Sequence, residues 1–213
     1  MHLAEIWRYP VKSMAGEQLE AAELGRDGIA GDRVVQVRDG GSGGIVTARR
    51  RPLLLAHRAT LGADGEPRVD GRPWRDPAVA AEVERAAGAG ARLARSTAIE
   101  ERYDILPLLV ATDGAIATLG LDRRRFRPNL LIGGVEGLAE RAWQGRRLRV
   151  GAAVVALADL RGRCVMTTFD PDTLEQDPRV LRAVVERLGG VLGLNAEVER
   201  AGVVRVGDPV ELI

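Results

Sequence analysis

Residues 203–212, near the C-terminus, read VVRVGDPVEL. Apolar residues alternate there with arginine and glutamate on both sides of a Gly207-Asp208-Pro209 turn signal. A period of two is typical of a β-strand with one buried face, and glycine and proline mark turns between strands. We therefore predict two short strands, paired as a final hairpin.

Similar short apolar or alternating runs recur toward the N-terminus, separated mostly by glycine-containing turn signals. Gly40–Gly44 lies between two such runs and predicts a hairpin loop rather than a linker between domains. Many short strands with few helices predict a mainly β fold of the α+β type, with a β-barrel-like core. The runs are Leu3–Trp7, Leu19–Leu24, Arg33–Val37, Leu53–Ala59, Ile105–Ala111, Asn129–Ile132, Arg147–Val150 and Ala153–Ala158.

Three segments carry helix signals. Asp76-Pro77 opens an alanine-rich stretch that stops at Gly88, and Asp177-Pro178 opens an apolar stripe that stops at Gly189. Aspartate as N-cap, proline at the first helical position and glycine past the end are the usual helix boundaries. Thr112 can cap a third, short helix that ends near Gly120.

Composition excludes several classes of protein. The 213 residues carry 31 lysines and arginines against 30 aspartates and glutamates, for a net charge of +1, and aromatic residues make up 3%. Such a chain is not expected to bind nucleic acid, which requires a basic surface and, for single strands, aromatic stacking platforms. Arginines can still gather locally around a smaller anion.

The N-terminus and the single cysteine, Cys164, bear on the compartment. Residues 1–6 alternate like a strand and resemble no signal peptide, and no apolar run is long enough to span a membrane. One cysteine forms no intramolecular disulfide, so folding does not require an oxidising compartment. We expect a cytoplasmic protein that does not interact with membranes.

Cys164 is also the first candidate for chemistry. It follows an apolar strand, with Arg161 and Arg163 before it and Thr167-Thr168 after it. Nearby guanidinium groups favour the thiolate, which is the form that binds metals and attacks electrophiles. The alternative is an inert residue of the core, because free cysteine is among the most buried residue types.

Basic and polar residues beside tight turns are candidates for anion binding. Lys12-Ser13 leaves the first strand, Gly31-Asp32-Arg33 follows a turn, and Arg125–Asn129 precedes a buried strand. Each alone is more often a solvated or salt-bridged surface group. The sequence offers few residues for other kinds of site. Two histidines and one cysteine at unrelated spacings make no convincing zinc site. No phosphate-binding loop or dinucleotide fingerprint occurs.

Together these segments resemble the MOSC family, named for the C-terminal domain of molybdenum-cofactor sulfurases. Residues 6–13, IWRYPVKS, followed by Gly31-Asp32-Arg33 and Thr47-Ala48-Arg49, are similar to the N-terminal β-barrel domain that precedes MOSC in amidoxime-reducing proteins. Residues 126–129, 163–173 and 206–210 resemble the MOSC domain itself, the cysteine, Thr-Thr and Asp-Pro block being the most specific. We expect an N-terminal domain over residues 1–95 and a MOSC domain over residues 96–213.

The resemblance implies a molybdenum cofactor bound by specific residues. Cys164 matches the cysteine that ligates molybdenum in the amidoxime-reducing branch, where it would be the catalytic metal ligand. The resemblance also implies residues that bind the pterin and its phosphate, to which we add Thr112 and Arg163, the neighbour of Cys164. The full set is Lys12, Ser13, Arg33, Thr112, Arg127, Asn129 and Arg163. One departure is Ile105-Leu106, apolar where that branch carries hydroxyl residues.

Three functions follow from the resemblance. The first is an oxidoreductase that reduces N-hydroxylated or N-oxide small molecules. Its electrons would come from a separate protein, because this chain lacks the cysteines for an iron–sulfur cluster. The second is a sulfur carrier that holds a persulfide on Cys164, loaded by a separate cysteine desulfurase because the chain has no pyridoxal-phosphate domain. The third is a non-catalytic carrier of the cofactor.

Overall fold

A computed structural model describes all of residues 1–213. It confirms a mainly β fold, with α-helices only at α1 (Pro77–Ala87), α2 (Asp113–Ala117) and α3 (Pro178–Leu188). The strands are β1 (His2–Arg8), β2 (Glu17–Leu19), β3 (Ala21–Gly25), β4 (Gly28–Ile29), β5 (Val35–Arg38), β6 (Ile45–Val46), β7 (Ala59–Leu61), β8 (Pro67–Val69), β9 (Arg72–Pro73), β10 (Arg92–Arg95), β11 (Leu108–Thr112), β12 (Leu130–Gly133), β13 (Arg147–Val150), β14 (Ala153–Gly162), β15 (Val191–Arg200), β16 (Gly202–Arg205) and β17 (Val210–Leu212).

One eight-stranded sheet dominates, in the order β17-β13-β14-β15-β11-β12-β1-β2. Its pairs are antiparallel except for β11 and β12, which run parallel. Every residue of these two strands is buried. Strands covered on both faces read as continuous apolar runs, which is why LLVAT and LLIG occupy this position. Three smaller sheets have the orders β10-β5-β6, β16-β3-β4 and β7-β8-β9.

The buried apolar residues form two large hydrophobic cores. The first has 20 buried residues, drawn from both ends of the chain, because β1 and β3 pack with the strands that follow residue 107. The second has 15 buried residues, all between Val11 and Ala91, including Met14, Leu54 and Trp74. A third, smaller core packs α2 and α3 around Phe126.

The helix signals in the sequence are confirmed. The Asp76 carboxylate accepts a hydrogen bond from Ala78 N at 2.8 Å, and the Asp177 carboxylate accepts one from Arg179 N at 3.0 Å. Gly189, with a φ of 66°, ends α3 in the left-handed conformation that glycine adopts without strain.

The predicted final hairpin is wrong. β16 pairs with β3, and β17 pairs with β13 at the edge of the large sheet. The turn at Gly207 therefore carries the chain from one sheet to another. Leu53–Ala56, predicted as part of a strand, lies in a 3-10 helix (Pro52–Ala56), where only Leu54 is buried. The predicted hairpin loop at Gly40–Gly44 does connect two paired strands, β5 and β6.

None of the helices has both the length and the apolar character needed to cross a lipid bilayer.

Candidate functional site

Seven of the eight candidate site residues line a single cavity of about 350 Å³. They come from four parts of the chain: the loop after β1, the turn after β4, the segment before β12 and the segment after β14. The fold therefore brings together residues that lie up to about 150 positions apart in the sequence. The seven are Lys12, Ser13, Arg33, Arg127, Asn129, Arg163 and Cys164.

The wall of this cavity is strongly positive, although the whole chain has a net charge of only +1. Asp104 is the one carboxylate in the wall. Like charges in a concave, poorly solvated site focus the potential and attract ions of opposite sign. The cavity therefore fits a ligand with a phosphate or another multiply charged anionic group. Its eight cationic residues are Lys12, Arg33, Arg49, Arg102, Arg125, Arg127, Arg161 and Arg163.

Three site residues have an unusual backbone conformation. Ser13, Arg33 and Arg127 have φ values of 74°, 51° and 54°, and they are three of the five non-glycine residues with positive φ. Side chains disfavour this region because Cβ approaches a backbone carbonyl. Such conformations persist where surrounding contacts enforce them, often at functional sites. Arg33, for example, donates its backbone N–H to Tyr9 O at 2.8 Å.

Asp32 organises this part of the wall, and the resemblance did not assign it a role. Its fully buried carboxylate accepts hydrogen bonds from Tyr9 N at 2.6 Å and Asn129 Nδ2 at 3.3 Å, and it pairs with the Arg33 guanidinium. Burial raises the pKa of Asp32, and Arg33 counteracts that shift. The ion pair fixes the direction in which Arg33 points.

Asn129 holds strands together as well as lining the cavity. Its amide oxygen accepts a hydrogen bond from Leu109 N at 3.1 Å, and its amide nitrogen donates to Trp7 O at 3.2 Å and to Asp32. These bonds join the ends of β1 and β12 to β11. The amide nitrogen has both of its donors engaged within the protein, so we assign Asn129 a positioning role.

Arg127 and Arg163 are half-buried cations without a carboxylate partner. The Arg127 guanidinium makes neither a hydrogen bond nor an ion pair and lies over the Tyr9 ring, 4.2 Å from its centroid. Arg163 donates one hydrogen bond, to Phe126 O at 2.6 Å. Loss of solvation lowers the pKa of each to about 10, which still leaves both charged at neutral pH. An anion in the cavity would offset their loss of hydration.

Two donors in this wall have no hydrogen-bond partner. The Nε atoms of Arg102 and Arg163 are buried and unsatisfied. Buried polar atoms nearly always have a partner in folded proteins, so each exception needs an explanation. A ligand rich in oxygen atoms would supply the missing acceptors.

Asp104 connects three of the cations. Lys12 Nζ lies 3.2 Å from its carboxylate and Arg161 Nη2 lies 3.3 Å from it, and Arg49 forms a third ion pair. Desolvation acts to raise the pKa of Asp104, but the three cations outweigh it and hold the pKa below its usual range. The carboxylate thus stays charged and keeps these cations together at one end of the cavity.

Cys164 lies where β14 gives way to a 3-10 helix (Val165–Thr168). Its backbone is extended, and its carbonyl accepts hydrogen bonds from Thr167 N at 3.0 Å and Thr167 Oγ1 at 2.9 Å. The residue is half-buried in the cavity wall, not enclosed in a core. Desolvation acts to lower the pKa of Arg49, but Cys164 and Asp104 raise it overall. The thiol is accessible from the cavity and has a cationic neighbour.

Thr112 does not line the cavity. It is fully buried, its hydroxyl donates to Glu140 Oε2 at 2.9 Å, and it accepts from Ala115 N at 3.2 Å as the N-cap of α2. The helix-capping prediction is confirmed. The cofactor-binding role that the resemblance implies for Thr112 receives no support from this position.

The partner of Thr112, Glu140, gives a testable pH dependence. Glu140 is 1% exposed, and desolvation raises its pKa. The folded state therefore binds this proton more tightly than the unfolded state, and the stability contributed is lost as the pH rises through the folded-state pKa. Glu140→Gln keeps the shape without the charge, so we expect a larger free energy of unfolding than wild type at pH 8 and a smaller difference near pH 4.

Urea denaturation at the two pH values measures this effect. Glu136→Gln is the matched control, because Glu136 is exposed in the same segment and should change stability by less than about 0.5 kcal/mol. A Glu140→Gln variant that is less stable than wild type at pH 8 would show that the buried carboxylate is a net stabilising group.

Several cavity residues were not assigned a cofactor-binding role from the sequence: Thr47, Arg49, Arg102, Tyr103, Asp104, Arg125, Arg161, Met166 and Asn195. Arg49 and Arg125 lie within segments that were singled out from the sequence, and Arg161 lies close to Cys164, so membership of these segments was an available signal. Arg102, Tyr103 and Asp104 belong to the connection between β10 and β11, in which only the apolar Ile105-Leu106 was singled out from the sequence. Only the fold shows that this connection forms one wall of the cavity.

The fold and the site define a mainly β protein with an arginine-rich, cationic cleft that has one cysteine in its wall. The model of the MOSC N-terminal beta barrel domain matches residues 1–96, and the model of the MOSC domain matches residues 101–211. The chain belongs to the MOSC domain family.

Relatives with curated names point to one branch. Mitochondrial amidoxime reducing component 2 of Macaca fascicularis is 26% identical, over 98% of this chain and 82% of that protein. The human protein of the same name is 30% identical over 50% of this chain and 37% of its own length. A crystal structure of the YUAD protein from Bacillus subtilis shares the fold, with a TM-score of 0.54 and 15% identity over 99% of this chain and 93% of that one. The two amidoxime reducing components are called mitochondrial, so the cytoplasmic location of this protein stays a prediction.

Proposed function

We propose that the cavity binds a molybdenum cofactor and that the protein is an oxidoreductase for N-hydroxylated or N-oxide substrates, with Cys164 as a metal ligand. The observation that carries this proposal is the meeting, in a single cavity, of one accessible thiol and two half-buried guanidinium groups, those of Arg127 and Arg163, that have no carboxylate partner. Membership of the MOSC family and the names of the relatives support it.

The residues present fit such a cofactor. Thiolate is a soft ligand suited to a metal of this kind. Guanidinium groups offer paired donors to phosphate, and Arg127 and Arg163 have donors to spare. When bound, the cofactor would supply the two-electron reduction. The chain would hold it, with Lys12, Arg127 and Arg163 binding the anionic end and Asp32 and Asn129 fixing the wall.

The apolar substitution at Ile105-Leu106 changes one side of this site. Both residues line the cavity, and Ile105 is 54% exposed. Neither side chain donates a hydrogen bond to a pterin. Arg102 and Arg161 line the same cavity, and their guanidinium groups can donate the hydrogen bonds that Ile105 and Leu106 cannot. Pterin binding in this chain would therefore depend more on arginine than in the relatives that carry hydroxyl residues.

Electrons would have to come from a separate protein. The chain has one cysteine and no dinucleotide-binding loop, so we expect no turnover by the purified protein with NADH and an N-hydroxylated substrate alone. A reduced viologen should restore turnover, measured by chromatography of the reduced product. Turnover with NADH alone that equals the viologen rate would contradict this expectation.

The function is tested on protein produced in a host that makes the molybdenum cofactor. We expect about one molybdenum per chain by elemental analysis, with the fluorescent oxidised pterin released on denaturation. A chain with neither, but with a persulfide on Cys164 after incubation with a cysteine desulfurase, would instead be the sulfur carrier. A chain that holds the cofactor without turnover under any reductant would be a cofactor carrier.

A further inference from the structure

A second cavity, of about 390 Å³, lies against the first. Arg125, Arg127 and Met166 line both cavities and form the partition between them. Cys164 does not line the second cavity. Its volume lies within the range of small-molecule sites, about 300–1,000 Å³. The proposed function leaves it without a role.

Aromatic side chains are concentrated in this second cavity. The chain has only seven, as three tryptophans, two tyrosines and two phenylalanines, and Trp7, Tyr9 and Phe169 all line it. Tyr9 is buried under Arg127, whereas Trp7 and Phe169 are half-buried and present surface to the cavity. Exposed aromatic faces of this kind stack on planar rings.

The cavity also offers two cations that lack a counterion. Arg124 is paired with Asp122 and Asp172, and Arg125 is paired with Asp170. The side chains of Arg58 and Arg127 have no hydrogen bond and no ion pair, and Arg58 is exposed. Two unpaired guanidinium groups suit a doubly charged phosphate better than a single carboxylate.

We propose that the second cavity binds a nucleoside monophosphate, with its base against Trp7 and Phe169 and its phosphate at Arg58 and Arg127. A planar ring joined to a phosphate satisfies both the aromatic faces and the unpaired cations. The same chemistry is present in a free nucleotide and in the nucleotide end of a larger cofactor. Arg127 lines both cavities and its guanidinium has five N–H donors, so it would contact the nucleotide phosphate from one side and an anion in the first cavity from the other.

Tryptophan fluorescence of the full-length chain tests this proposal. Trp74 and Trp143 are 7% and 5% exposed and line neither cavity, so Trp7 is the tryptophan that a ligand would contact. We expect saturable quenching by guanosine or cytidine monophosphate. Guanosine, which lacks the phosphate, and orthophosphate, which lacks the ring, should each bind at least about tenfold more weakly. Absence of saturable quenching, with no binding heat in calorimetry, would overturn the proposal.

Variants locate the ligand. Phe169→Leu and Arg58→Ala should each weaken nucleotide binding by about tenfold in calorimetry. Arg75→Ala, on an exposed arginine that stacks on Trp74 outside both cavities, is the matched control and should bind as wild type does. Circular dichroism verifies folding, and Arg58→Ala decides alone if Phe169→Leu does not fold. Nucleotide binding that is weakened by Lys12→Ala but not by Arg58→Ala or Phe169→Leu would put the ligand in the first cavity and overturn the proposal.

Extraction of the protein purified from its host distinguishes a free nucleotide from the nucleotide end of a larger cofactor. Free nucleotide released by denaturation alone identifies a separate ligand. Nucleotide released only after acid hydrolysis of a larger molecule identifies the end of a cofactor. Either result supports the second cavity as a nucleotide site if Arg58→Ala lowers the amount recovered, whereas equal recovery from that variant contradicts it.

Discussion

Cys164→Ala is expected to weaken the affinity of the protein for molybdenum by about a hundredfold or more and to abolish reductase turnover. Loss even of residues that only orient a metal ligand typically lowers metal affinity by about 10–100-fold, so loss of the ligand itself should have at least that effect. The fold should survive, because Cys164 is half-buried and its side chain makes no hydrogen bond that shapes the adjacent 3-10 helix. Elemental analysis and the thermal unfolding midpoint measure the two effects.

Cys164→Ser separates the ligand role from packing. Oxygen is a harder donor than sulfur, so the serine variant should be close to the alanine variant in molybdenum content although its shape matches that of cysteine. The pterin is informative in both variants, because the cationic wall remains. Retention of full molybdenum content and turnover by Cys164→Ala would show that Cys164 is not a metal ligand.

Local sequence signals predicted the helices well and the pairing of the last two strands wrongly. Asp76-Pro77 and Asp177-Pro178 act within one turn of the helix, so the sequence around them contains the whole cause. The strands at residues 203–212 were also located, but their partners, β3 and β13, lie far away in the chain. Alternation shows which face of a strand is buried and carries no information about the neighbouring strand.

The candidate site was predictable mainly through the resemblance to a family. On physical grounds alone, Lys12, Arg33 and Arg127 were separate surface charges, and only the fold places them in one cavity. The left-handed backbone at Ser13, Arg33 and Arg127 could not be predicted, because residues other than glycine give no sign of it. Thr112 lies outside the cavity and its hydroxyl caps a helix, so the fold adds no support to the role that the resemblance implies for it.

The structure also decides which cation gives a clean test of anion binding. Arg33 is a poor choice, because its removal would leave the buried Asp32 carboxylate without its ion-pair partner. Breaking a buried pair in this way costs about 3–5 kcal/mol of stability. Arg127 has no such partner. Its removal acts on the ligand without uncovering a buried charge elsewhere.

Arg127→Ala is therefore expected to separate cofactor binding from stability. Loss of one charge-assisted hydrogen bond to a phosphate should reduce cofactor affinity by about 1.5–3 kcal/mol, or roughly 10- to 150-fold. The cofactor-free protein should unfold at the same or a higher denaturant concentration, because burial has already lowered the pKa of Arg127 to about 10 and thus disfavours its charged form. Equilibrium dialysis of the pterin and urea denaturation measure the two quantities.

Arg179→Ala is the matched control, since the Arg179 side chain is 84% exposed on α3 and pairs only with Asp177. It should change both quantities by less than about 0.5 kcal/mol. Lys12→Ala should resemble Arg127→Ala in cofactor affinity, but not in stability, because Lys12 forms an ion pair with Asp104. If Arg127→Ala retained the pterin as well as Arg179→Ala does, the cations of the cavity would not converge on a phosphate, and the assignment of the cavity to the cofactor would fail with them.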